Sequence, residues 1–198
     1  MSLLAPEVLA GWPAFTESLE GRKKFPYLDT HEPKPIVTSG LGCAFLDLAD
    51  FAAQPWKVDG APAGPDEVSA SWVVLENTPG GLLADHYEPL TRLRLTDPAI
   101  DALSISRLVA AAVILAKRWP HLPSYPWQAQ MGVSSLGCAV GPGDEGEGLT
   151  GAAWPNLHEA IDARDWRRAA SECALRGNPK RSAATSALFL AAAAGGRA

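Results

Sequence analysis

The chain has 198 residues, 47% hydrophobic and 20% charged, enough apolar sequence to bury a core and too much for general disorder. A formal charge of −5 and a pI near 5.3 argue against nucleic-acid binding, which rewards a basic footprint, and give no long-range attraction toward an anionic polymer. Three scattered cysteines, Cys43, Cys138 and Cys173, form no CxxC pair and supply no disulfide framework.

Pro6 to Glu20 reads as a helix, with Val8, Leu9, Trp12, Phe15 and Leu19 at helical spacing and Gly21 as terminator. Pro13 predicts a break or restart near Trp12. Residues 22 to 42, rich in proline, glycine and β-formers, predict a turn with short strands, and Asp29 falls in the turn. Residues 54 to 66 read as a loop with Asp59-Gly60 as a turn signal, and Asp66 is expected to cap a helix from Glu67 to about Asn77. Thr96 caps a long helix reaching Trp119, with Pro98 in its first turn. A further helix is expected from Ser124 to about Val140, then an acidic loop at 141–151. Short amphipathic helices follow at Trp154–Ala163, Asp165–Arg176 and Ser182–Ala194.

These elements predict a mainly helical α+β protein, one domain over 1–198. A small β and loop lobe would span about 22–65 and a helical lobe about 66–195. No start resembling a signal peptide is expected to direct export, and no apolar run is expected to span a bilayer: LVAAAVILA and ALFLAAAA are too short.

Glu20 closes its helix at the negative end of the helix dipole, where a carboxyl group favours its protonated form. A protonated acid is what a glycosidic oxygen needs from its general acid, and an ionised Asp29 could activate a water. The same two residues also suit a solvated helix end and an ordinary turn aspartate. Other chemistries lack their motifs: there is no HExxH for zinc, no GxSxG for a serine nucleophile and no calcium-loop periodicity in GDEGEG.

The run EGRKKFPYLDT followed by IVTSGLG resembles the active-site signature of phage-type lysozymes, glycoside hydrolase family 24 and its bacterial and prophage relatives. The matching elements are Glu20-Gly21, Tyr27-Leu28-Asp29-Thr30 and Thr38-Ser39-Gly40-Leu41-Gly42, and the interval from Glu20 to Asp29 is the family's own. Further segments, LRLTDPAIDAL, LPSYPWQAQMGVSSLGCAVGPG and NPKRSAATSALF, fall in the family's order. The resemblance implies a lysozyme-like fold and a cofactor-free muramidase. Such an enzyme cleaves the β-1,4 bond between N-acetylmuramic acid and N-acetylglucosamine in peptidoglycan glycan strands, with inversion. It implies Glu20 as general acid, Asp29 as base and Thr38 as holder of the attacking water, with the carboxyl groups roughly 6.5–9.5 Å apart. Tyr27 would touch substrate, and Gly40 and Gly42 would let the hairpin backbone approach the sugar. Apart from the resemblance, His31 could tune Asp29 or touch substrate, or be an exposed turn histidine, and Trp127 or Trp56 could stack on a sugar face or belong to core or rim. Two departures stand out: the interval from Asp29 to Thr38 is longer than in the family, and Arg181-Ser182 replaces an Arg-Asn pair.

The expected partners are the wall polymer itself and, for delivery from the cytoplasm, a holin or a secretion machine, with action in the periplasm or on the wall. The alternative from another class is a non-catalytic peptidoglycan-binding or structural module of a phage or secretion apparatus on the same scaffold. A third possibility keeps the fold and changes the substrate to another amino-sugar polymer.

Overall fold

Helix α1 (Pro6–Glu20) is continuous through Pro13, because Val8, Trp12 and Thr16 form one buried face that crosses the proline. The ring removes one helical N–H, and packing on that face holds the backbone where the sequence pattern predicts a break. The structure is a computed structural model that describes residues 2–29, 35–143 and 147–195.

Strands β1 (Lys23–Asp29), β2 (Ile36–Gly40) and β3 (Cys43–Ala44) form an antiparallel sheet in that order. Asp47 caps the short helix α2 (Leu48–Ala52), its side chain accepting from Asp50 N at 2.8 Å. Strands β4 (Lys57–Val58) and β5 (Ala61–Pro62) are joined by Asp59-Gly60, both at positive φ (51° and 86°), as a mirror-image two-residue turn requires. In helix α3 (Pro65–Glu76) the cap is Gly64 rather than Asp66. Pro65 opens the helix and Glu67 Oε2 accepts the Gly64 N–H at 2.9 Å.

Helix α4 (Asp97–Arg118) starts as expected, with Thr96 Oγ1 accepting from Ala99 N at 3.4 Å. Among the described residues α4 is also long and apolar enough, by length and composition alone, to cross a membrane. This corrects the expectation that no segment qualifies, which counted only uninterrupted apolar runs. Here Ile100, Leu103, Leu108, Ala112 and Leu115 are buried in protein core. Helix α5 begins at Trp127, not Ser124, and runs to Val140. Pro126 forces Tyr125 into an extended conformation (φ −73°, ψ 153°) and restricts the preceding segment to a single tight turn at 122–124. Helices α6 (Pro155–Asp162), α7 (Trp166–Glu172, capped by Asp165) and α8 (Pro179–Gly195) complete the chain.

The architecture is mainly helical α+β, as expected. Two compact units divide it: Glu20–Ser104, and Met1–Leu19 with Ile105–Ala198. The strand-containing unit therefore extends past the expected lobe limit near 65 and takes in α3 and the first turns of α4. Its core is an aromatic cluster around Phe51, which meets Phe45, Trp56 and Trp72 at centroid distances of 5.3, 4.8 and 5.2 Å. The other unit is built on Trp12, Trp119, Trp166 and Phe189 with the apolar faces of α5 and α8.

Candidate active site

The first candidate group lies where α1 stops. Gly21 takes φ +75°, the left-handed conformation that ends a helix, and leaves Glu20 as the last helical residue with no basic side chain in that turn. Glu20 is exposed, so the desolvated pocket that a buried general acid would occupy is not formed around it. Its side chain lies against Gly42 in the β2–β3 turn. A Cβ built on Gly42 would stand 3.3 Å from Glu20 Cγ, 3.5 Å from Cδ and 3.6 Å from Oε2.

The second group lies on the β1–β2 ladder. Asp29 is the last residue of β1, paired with Ile36, rather than a turn residue; Leu28 pairs with Val37 and Tyr27 with Thr38. The pleat turns successive side chains to opposite faces, so Tyr27, Asp29, Ile36 and Thr38 share one face while Leu28 and Val37 enter the apolar core. The longer interval after Asp29 leaves this arrangement intact, because the extra residues fall between the paired positions 29 and 36. His31, the remaining candidate of that stretch, lies outside the described residues.

A bulge sets this register. Between the pairs Lys23↔Gly40 and Tyr27↔Thr38, three residues of β1 (Lys24, Phe25, Pro26) face one residue of β2, Ser39. Pro26 has no N–H to give the ladder, and strand prolines collect at such bulges. The buried Ser39 Oγ reaches the carbonyl oxygens of Phe25 (3.2 Å) and Lys23 (3.4 Å), satisfying backbone that the bulge takes out of pairing. If the Lys23↔Gly40 register ran on without the bulge, Asp29 would pair two positions further from Thr38. No signal in the sequence marks Ser39 for this role.

Thr38 is 1% exposed, and its hydroxyl donates to Ile36 O at 3.1 Å, which leaves the oxygen free to accept. Tyr27 is half-buried, and its phenol is held protonated well above the usual tyrosine range. Burial is the main cause, followed by the electrostatic influence of Asp29, Glu20 and Cys43. One phenol thus feels both carboxylates and the thiol of β3, whose place in the site the sequence did not suggest.

Both glycines also make room for a neighbouring side chain. Gly40 is buried at φ +67°, and the space a side chain would need holds Ile100 of α4, with Cγ2 at 3.3 Å from the built Cβ. Gly42, at φ +76°, gives its space to Glu20. Trp127 opens α5 in the other unit and is 38% exposed. Trp56 is core: it is 3% exposed and its Nε1 donates to Phe51 O at 2.8 Å. Arg181 is also buried, donating from Nη1 to Ser135 O at 3.0 Å, while Ser182 Oγ accepts from Leu175 N at 2.8 Å. Among the described residues no group of three or more His, Cys, Asp or Glu side chains could hold a metal ion.

No protein-family model matches the chain, and no curated protein matches it in sequence.

Proposed function

We propose that the protein is a lysozyme-like glycoside hydrolase, a muramidase acting on the β-1,4 bond of peptidoglycan. The observation that carries this reading is the contact between Glu20 and the β2–β3 turn. It ties a helix-terminal carboxyl to the same three-stranded sheet that presents Asp29 and Thr38 on one face.

Glu20 acts as the general acid, giving a carboxyl proton to the glycosidic oxygen as the bond to the anomeric carbon breaks. Asp29 accepts one proton of a water on the opposite face of the sugar, and the water's oxygen attacks that carbon in a single displacement with inversion. Thr38 Oγ1, whose own proton is given to Ile36 O, accepts the water's other hydrogen and aims its lone pair. The Tyr27 phenol, protonated throughout, donates hydrogen bonds in this site. On this reading the protein acts on the wall after release by a holin or delivery by a secretion machine.

The test is release of reducing ends from purified peptidoglycan by wild type beside Glu20→Gln. The variant should lose about 10²–10⁴-fold in rate while keeping its fold, the range for a lost general acid. Full activity in the variant sinks the assignment. The near-complete burial of Thr38 favours one second reading, a wall-binding module without turnover. Pull-down on peptidoglycan with no release of reducing ends by wild type would decide for it.

A further inference from the structure

We infer that Gly42 is a positioning residue for Glu20: the absence of a side chain at 42 is the seat that holds the acid in place on the sheet. The inference rests on the muramidase reading for its catalytic meaning, but its geometry stands apart from it. Gly42 is exposed, so the seat is a notch open to solvent and a ligand could reach the carboxyl held there. The built Cβ contact of 3.3 Å is to Glu20 Cγ, part of a flexible side chain. A methyl group at 42 would therefore be accommodated by rotation of Glu20, and the consequence falls on the acid's direction rather than on packing. The other close glycine of this hairpin behaves differently. At Gly40 the neighbour is Ile100, a fully buried core side chain on α4 that has no room to turn away.

A side chain at Gly42 would also strain the backbone, since φ is +76° there. The molecule contains a control for that strain. Gly60 has φ +86° in the β4–β5 turn, and nothing lies within 4 Å of its built Cβ. Gly60→Ala carries the backbone penalty without touching any neighbour, so the difference between Gly42→Ala and Gly60→Ala isolates the contact with Glu20.

The experiment pairs turnover with a structural readout. In wild type, nuclear Overhauser contacts should join the Gly42 Hα protons to the Glu20 Hγ protons. In Gly42→Ala the methyl group takes the place of the Hα that faces Glu20, so the readout there is the Glu20 side-chain carboxyl carbon, which should shift. Reducing-end release should fall about 10²-fold in kcat with KM unchanged, the scale for a misplaced catalytic group. Gly60→Ala should match Gly42→Ala in melting temperature and match wild type in kcat. Gly42→Ala with wild-type kcat and unmoved Glu20 signals would overturn the inference. A wild type that releases no reducing ends would remove the muramidase reading. In that case the resonances alone decide the seat: Overhauser contacts in wild type with a shifted Glu20 carboxyl carbon in Gly42→Ala support it, and absence of the contacts from wild type or an unmoved carboxyl carbon refutes it.

Discussion

Glycine does different work around the candidate site and in helix α5. In Glu20–Ser104 the glycines at 21, 40, 42 and 60 all have positive φ and shape turns or helix ends. In helix α5 of the other unit, Gly132 and Gly137 have ordinary backbone and mark close approach. A Cβ would come within 3.1 Å of Phe189 at the first and 3.0 Å of Leu115 at the second. The cores differ in the same sense. One unit is a single stretch of chain that surrounds Phe51 with aromatic rings. The other joins two distant stretches; both bury hydroxyls, Thr38 and Ser39 in the first and the mutually bonded pair Ser135 and Thr185, at 3.1 Å, in the second. Around the candidate site groups are placed by backbone angles at a few turns, whereas α5 is placed by tight helix packing. Both candidate carboxylates belong to the first unit.

The contrast can be broken most directly at the aromatic cluster. Phe51→Ala should lower stability by about 3–5 kcal/mol, the usual loss for a buried phenylalanine, measured as a urea midpoint. Hydrogen exchange in the same sample should show amide protection falling more in residues 36–76 than in α5. Equal loss in both regions would dissolve the distinction.

The polar core of the second unit gives a smaller and more diagnostic effect. Thr185→Val leaves Ser135 without its hydroxyl partner and should cost about 1–3 kcal/mol, whereas adding Ser135→Ala should recover most of it. A double variant no more stable than the single one would show that the pair acts through packing instead.

The smallest effect is a pH dependence in the first unit. The folded pKa of Tyr27 lies above its unfolded value of 10.0, so between the two the folded state holds a proton that the unfolded state has lost. Its contribution to stability is complete below pH 10 and fades as pH rises beyond it. Urea midpoints at rising alkaline pH should decline more steeply in wild type than in Tyr27→Phe, and parallel declines would remove Tyr27 from the account.

What the sequence made legible was local chemistry. The Glu20-Gly21 helix end, the Thr96 and Asp165 caps and the Asp59-Gly60 turn each depend on residues a few positions apart, and each stands where the pattern predicts. Pro13 and Asp66 mislead because tertiary packing in one case, and a competing Pro65–Glu67 start in the other, outweigh a single-residue preference. Helix α2 is too short for periodicity to reveal. The pairing of Glu20 with Gly42, and of Gly40 with Ile100, joins positions far apart in sequence, and no local pattern announces either. The same holds for Ser39, whose use depends on a bulge in the opposite strand. So the candidate residues could be read from their motif, but what holds them could not.

The rung joining Asp29 to Ile36 divides the hairpin into a part where length matters and a part where it does not. One residue inserted between Tyr27 and Asp29 would turn the aspartate to the opposite face. Residues added between 29 and 36 leave every described rung in register. Strand parity is therefore what aims the aspartate, and the four rungs from Lys23 to Asp29 act as its gauge.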